Sequence, residues 1–381
     1  MLYRILGFCF LVLCSEALLP AQTLPPQFRS KLAPATNATM TIEEYEPKTM
    51  LVVPEHPVKR AKFPFIDVHN HQNGRMAQQN LERLVREMDS INMRVMVNLS
   101  GENGDRLKGS VENMDKQYPK RFITFANVDF SIDRMDDPDF GKKAAAQLEQ
   151  DYKNGARGLK IYKNLGLTVR DGSNRRIPTD DPRLDPIWQK CAELGIPVLI
   201  HTGEPKSFFE PHDRFNERWL ELKQFPNRAR PGDVYPPWEQ VMQEQRNLFR
   251  KHSRTKFIAA HFAWLGNDLK RLGEVLDSLP NVYTEFGAII AELGRQPRAA
   301  HAFFIKHQNR LLFGKDTWEM TEYHTYFRVL ETDDEYFDYF RKRHAFWKMY
   351  GLNLPDEVLK KIYYKNALKL FPHLNAAEFP Q

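Results

Sequence analysis

From Phe65 onward, short runs of apolar, β-branched and aromatic residues alternate with longer stretches in which apolar positions recur at helical spacing. Eight such runs occur in order: residues 65–69, 94–99, 122–127, 158–162, 197–201, 257–261, 282–286 and 311–316. Helix-length spacers separate them, such as residues 77–92, 141–154, 182–194 and 265–278. Eight strand-helix repeats predict an α/β fold of the (β/α)₈ TIM-barrel type rather than an open doubly wound sheet. No glycine-rich phosphate loop follows the first strand, which argues further against a dinucleotide-binding fold.

Two connections, residues 163–181 and 204–253, are longer than barrel closure requires. They are polar, aromatic and punctuated by Pro226, Pro231, Pro236 and Pro237, so they are expected to cover the barrel mouth and to select the substrate. Residues 23–62 are rich in Pro, Thr and charge without a steady period, as in an extended arm, and the barrel domain is assigned to residues 63–375. The first 22 residues read as a signal peptide: Arg4, an apolar stretch too short to make a stable membrane span, then small residues near a cleavage point. Export to the periplasm or exterior is therefore expected. Leu13 before Cys14 is too large for a lipoprotein site.

Cys9 and Cys14 lie in that leader, leaving Cys191 alone in the mature chain. No internal disulfide can form, and Cys191 sits in an apolar helical pattern as a structural thiol. The net charge is +6, but the 55 basic and 49 acidic residues are interleaved without a long basic run, so nucleic acid is a poor candidate partner. The aromatic stretch 323–350 reads most simply as packing for the last barrel helices; a pocket wall or a homodimer interface is the alternative.

Of the 12 histidines, four fall at predicted strand ends: His69 and His71 on the first strand, His201 on the fifth and His261 on the sixth. Lys160 lies in the fourth strand and Asp316 ends the eighth. In a barrel these positions converge on one mouth. Singly, each residue is better explained by packing, a satisfied hydrogen bond or a helix cap; together, imidazoles and a carboxylate form a suitable ligand set for a divalent metal. Period-two spacing would turn His69 and His71 to the same side of the strand.

The motifs Ile66-Asp-Val-His-Asn-His71, Gly158-Leu-Lys-Ile161, Pro197-Val-Leu-Ile-His-Thr-Gly203, Ala260-His-Phe-Ala-Trp-Leu-Gly266 and Leu312-Phe-Gly-Lys-Asp316 resemble those of the amidohydrolase superfamily. The chain is similar in particular to the amidohydrolase-related branch that includes the aminocarboxymuconate-semialdehyde decarboxylase type, and the segment 362–371 completes that likeness. The resemblance implies one divalent metal held by His69, His71, His201 and Asp316, with His261 beside the metal-bound water as acid, base or further ligand. Zinc is the expected metal, with Mn, Fe or Co as alternatives. It also implies that Lys160 either binds a substrate anion or, if carboxylated, bridges to a second metal.

Asp316 and His261 are thus the expected catalytic residues, with Asp316 taking the water's proton. Arg75, Tyr162, Arg170 and Arg176, all after strand ends, are candidates to grip a substrate carboxylate. Glu285 on the seventh strand is a candidate metal-site partner or substrate contact, with a salt-bridged structural glutamate as the alternative, and Asn366 and Ala367 read as packing. The expected function is hydrolysis of a small amide, ester or lactone, the substrate being a carboxylic acid or derivative. Decarboxylation of an aromatic or unsaturated acid is the enzymatic alternative, and a non-catalytic exported binding protein is the alternative of another class.

Overall fold

The computed structural model describes residues 40–380, so the leader expected over residues 1–22 lies outside the described residues. The chain divides into two compact units after Val52. In the described part of the first, a turn at Thr41 is closed by Glu44, whose carboxylate accepts from the Thr41 amide at 2.9 Å and hydroxyl at 3.0 Å. No helix among the described residues is long and apolar enough to cross a membrane.

The second unit is an α/β barrel. Its strands are β1 (Phe65–Asn70), β2 (Met93–Asn98), β3 (Phe122–Thr124), β4 (Ala126–Asn127), β5 (Leu159–Ile161), β6 (Val198–Ile200), β7 (Phe257–Ala259), β8 (Val282–Glu285) and β9 (Leu311–Leu312). They pair in parallel in the orders β1-β2-β3 and β4-β5-β6-β7-β8-β9. The third predicted strand is real but broken at Phe125, whose amide still donates to Asn98 while the next amide, Ala126, donates to Gly158. The ring closes where Val68 N donates to Phe313 O at 2.9 Å and Asp316 N to His69 O at 2.7 Å.

Every residue of β1 is buried, which is why the run 65–70 shows no alternation: barrel strands are covered on both faces. The outer helices show the complementary pattern. Gln78–Ser90 buries only Leu81, Leu84 and Met88, one stripe facing the sheet, and each such side chain contributes about 1.5–3 kcal/mol. Leu269–Ser278 does the same with Leu269, Leu272, Val275 and Leu276, and Asp268 caps it by accepting from Arg271 N. Cys191 is fully buried and its thiol is pushed up by burial, as expected of a packing residue.

Residues 53–62 lie extended against the barrel. His56 N donates to Asp334 at 2.8 Å, Lys62 N to Glu331 at 3.0 Å, and the Arg60 guanidinium to Ser90 O at 2.9 Å. Within the aromatic stretch 323–350, Tyr323, Tyr326 and Phe327 are buried around Phe313, which is the packing role. Tyr339 instead faces a cavity at the barrel mouth.

Candidate metal centre and active site

The end of β1, which pairs with β2 through Asn70 and Asn98, carries His69 into the barrel and His71 just beyond it. Their Nε2 atoms stand 3.3 and 3.5 Å from Asp316 Oδ1, and the three ligand atoms all lie within 4.8 Å of one another. Each imidazole is held from behind. His69 Nδ1 donates to Glu285 Oε1 at 2.8 Å, and His71 Nδ1 lies 2.8 Å from Ser100 Oγ. With Nδ1 so engaged, the Nε2 lone pairs are left to face a common point.

Asp316 has φ of 89°, outside the usual range for a residue with a side chain, and its place is secured by the bridge to Asn70. The Lys160 ammonium is buried 3.2 Å from His69 Nε2, and burial depresses it to about 8. Tyr162 stacks on the His71 ring at 5.7 Å and donates its hydroxyl to Leu99 O at 3.0 Å.

His201 follows β6 directly but does not join the His69, His71 and Asp316 cluster. Its Nδ1 faces His261 Nε2 at 3.3 Å, and its buried Nε2 has no hydrogen-bond partner, the nearest carboxylate being Glu204 at 3.7 Å. His261 does not end a strand as expected. β7 stops at Ala259, and the chain enters a left-handed turn in which His261, Phe262, Ala263 and Trp264 have φ of 57°, 53°, 52° and 54°. Each such residue costs roughly 1–2 kcal/mol, so other contacts must hold the turn. His261 Nδ1 donates to Gly287 O at 2.7 Å, leaving Nε2 toward the mouth, and Trp264 stacks beneath the ring at 4.5 Å.

The charge states suit a cation. Burial lowers His71 to about 2 and His201 to about 3, so both are neutral at pH 7 and their lone pairs are available. Burial and Lys160 work against a charge on His69, but Glu285 and Asp316 outweigh them and raise it. Burial would raise Asp316, yet His69, His261 and His71 hold its carboxyl well below the usual range. A neutral His71, a His69 that must give up to the metal the proton that Glu285 and Asp316 favour, and an ionised Asp316, converging and anchored from behind, form a donor set that fits a divalent metal.

Beyond this cluster lies a cavity of about 160 Å³ lined by His201, Glu204, His261 and Asp316 on the barrel side, with Arg218, Glu221, Arg228, Tyr339, Arg341 and His344 opposite. Glu221 is the hub of that far wall, accepting from Arg218 at 2.9 Å and Arg228 at 2.6 Å, with His344 at 3.5 Å. Glu204 is held by Lys163 at 2.6 Å and Arg230 at 2.8 Å. Burial would raise its carboxyl, but the neighbouring His201 and Lys163 bring it to about 2.

Arg75, Arg170 and Arg176, candidates to grip substrate that taken singly read as loop residues, do not line the cavity. Arg75 pairs with Glu102 at 3.3 Å on the surface, Arg170 donates to Asn174 O, and Arg176 is bound to Glu244. Of the basic residues that do face the cavity, Lys163, Arg218 and Arg228 sit in the long connections and Arg341 in the aromatic stretch 323–350, where no periodicity marks them. His344, which ends no predicted strand, also lies on this wall. For Glu204 a signal existed: it follows His201 by three residues at a strand end.

A parallel eight-stranded barrel whose strand ends gather histidines and an aspartate around one mouth defines a metal-dependent barrel enzyme. The amidohydrolase family profile matches residues 66–373, and the chain belongs to that family. A search of curated protein sequences finds no match.

Solved structures share the fold. A TIM-barrel protein from Bordetella bronchiseptica is 18% identical with a TM-score of 0.52, over 82% of this chain and 99% of its own. A 2,6-dihydroxybenzoate decarboxylase in complex with 2,6-dihydroxybenzoate is 15% identical with a TM-score of 0.51, over 81% of this chain and 99% of its own. A dihydroxybenzoic acid decarboxylase from Polaromonas sp. JS666, with bound manganese and the inhibitor 2-nitroresorcinol, is 16% identical with a TM-score of 0.51, over 83% and 98%.

Proposed function

We propose that the protein is a metal-dependent hydrolase that opens an ester, lactone or amide bond in a small substrate bearing a carboxylate. The observation that carries this reading is the convergence of His69 Nε2, His71 Nε2 and Asp316 Oδ1, each imidazole anchored through Nδ1, at the edge of a cavity with a cationic far wall. A divalent cation held there supplies Lewis acidity toward a substrate oxygen and lowers the pKa of water to about 7 in favourable sites.

The chain's own groups do the rest. Asp316 offers a carboxylate oxygen to receive the water's proton, and His261 Nε2, with Nδ1 committed to Gly287 O, is free to exchange a proton with the reacting group. Arg228, Arg341 and Lys163 offer guanidinium and ammonium groups to the substrate carboxylate. Trp264 and Tyr339 wall the cavity and limit water around the reacting bond.

Loss of carbon dioxide from an aromatic or unsaturated acid is the second reading. The same cationic wall supports it, as do the two dihydroxybenzoate decarboxylases that share the fold. Zinc is the metal we expect, with manganese, present in the Polaromonas structure, as the alternative. Export directed by residues 1–22 belongs to this reading too, and fractionation of cells making the full-length chain tests it.

The test begins with elemental analysis of the purified protein and its His69→Ala and Asp316→Ala variants. One metal per chain, reduced in both variants, is expected; two would make Lys160 a bridging ligand. A folded protein that takes up no metal in any form would leave the binding-protein alternative in its place. The metal-loaded protein is then offered lactones, esters and amides of carboxylic acids, with ring opening or acid release measured against carbon dioxide release from aromatic acids.

A further inference from the structure

Glu285 ends β8 with no solvent exposure, and its carboxylate meets three separate segments of the mouth. Oε1 accepts His69 Nδ1–H at 2.8 Å and also the backbone N–H of His261 at 2.8 Å. Oε2 accepts the Gly287 N–H, and the Gly287 carbonyl in turn accepts His261 Nδ1–H at 2.7 Å. The seat is shaped for this carboxylate: a Cβ at Gly314 would lie 2.5 Å from Oε2, and one at Gly287 would lie 2.8 Å from it. Gly314 and Gly287 lie on the connections after β9 and β8, beside the backbone of Asp316.

The two histidines therefore depend on a single oxygen. The His261 amide opens the run of four left-handed residues, and Glu285 is the acceptor that this amide has found in place of a strand or helix partner. His69 is turned by the same oxygen so that Nε2 faces Asp316 and Lys160. A residue serving only to fill the barrel would not need an ionised, fully satisfied carboxylate at this point.

We propose that Glu285 is a positioning residue that locks His69 and His261 to one another, fixing the His69 tautomer and holding the left-handed turn that aims His261 into the mouth. This rests on the metal-site reading only in its consequence for metal affinity; the lock is a property of the protein alone. In the Glu285→Gln variant one amide oxygen cannot serve both sides: turned to His69 it sets the NH₂ against the Gly287 N–H, donor against donor, and turned to Gly287 it sets the NH₂ against His69 Nδ1, which favours the other His69 tautomer. Gly314→Ala leaves every bonding group in place and displaces the carboxylate instead.

The full-length protein and both variants are compared after circular dichroism has confirmed that each is folded. In the metal-free proteins, imidazole ¹⁵N and ring-proton spectra report the tautomers of His69 and His261. We expect Nδ1–H on both rings in the native chain and loss of that uniform state for His69 in Glu285→Gln. Chelator competition with Zn²⁺ is expected to give a 10- to 100-fold weaker dissociation constant in both variants, as for other partners behind a metal ligand, and the Co²⁺ absorption spectrum should change.

Native-like imidazole spectra in folded Glu285→Gln and Gly314→Ala, with unchanged zinc affinity, would overturn the lock. A native protein that binds no metal overturns the metal-site reading instead, while the metal-free spectra still decide the role of Glu285.

Discussion

The two walls of the mouth are built on different principles. On the barrel side, His69, Glu285 and Asp316 sit on or beside strand ends and are joined by short hydrogen bonds across β1, β8 and the segment after β9. On the far side, Arg218, Glu221, Arg228, Arg341 and His344 come from two connections of short helices and turns outside the sheet and are held mainly by ion pairs. The first wall places atoms to fractions of an ångström because the sheet fixes their backbone. The second can change from protein to protein without disturbing the barrel. The proposed function puts the chemistry on the first wall and substrate choice on the second.

The hardest blow to that division is Asp316→Ala. Activity should fall on the order of 10³-fold or more, the span of a lost proton acceptor together with a lost ligand, and bound metal should fall with it. If metal and turnover survive, the barrel wall does not hold the chemistry.

Next is Lys160→Met, read as unfolding free energy of the metal-free protein. Lys160 falls from 10.5 to about 8 on folding, so the unfolded chain binds more protons between those values and native stability rises with pH across that window. Below pH 8 the native protein bears the full cost of the buried charge. The variant should then be more stable at pH 7 by up to about 3 kcal/mol, from 1.36 kcal/mol per pKa unit, with the gap closing by pH 10.5. A gap independent of pH would mean that the ammonium carries no such cost.

The far wall is tested by Arg341→Met. Its guanidinium reaches Glu322 and Thr317 beside the cavity, so a folded variant should lose about 10- to 100-fold in kcat/KM toward a carboxylate substrate, chiefly through KM, as for one charge-assisted hydrogen bond. A neutral ester of the same shape should be little affected. An equal loss on both substrates would move Arg341 from recognition to structure.

The smallest expected effect is a control remote from both walls. Cys191 is fully buried and its thiol is raised by burial, so alkylating reagents under native conditions should leave metal content and turnover unchanged. Rapid inactivation would show that the helix carrying it opens.

Much of the barrel wall is legible in one sequence because strand ends leave a visible mark. His69, His71 and Asp316 each follow an apolar run, and parallel strands carry such residues to one mouth whatever the loops do. The far wall leaves no such mark. Glu221 and Arg228 are seven residues apart on two short consecutive helices, and Arg341 comes from a distant segment, so only the folded chain brings them onto one cavity. Arg75, Arg170 and Arg176 follow strand ends without ending a strand, and nearby carboxylates and carbonyls hold them away from the cavity.

The sequence by itself determined the barrel, the order of its strands and most of the residues at the ends of those strands, because burial on both faces of a parallel sheet imposes a pattern that the order of residues along the chain displays. It also placed Glu285 on the seventh strand without choosing among its roles. Only the tertiary structure decided that this one carboxylate joins His69 to a left-handed turn. That turn, His261-Phe262-Ala263-Trp264, contains no glycine to announce it, and its shape is imposed by an acceptor that lies 24 residues away in the chain. Local preference opposes the turn, and the bond between distant segments wins.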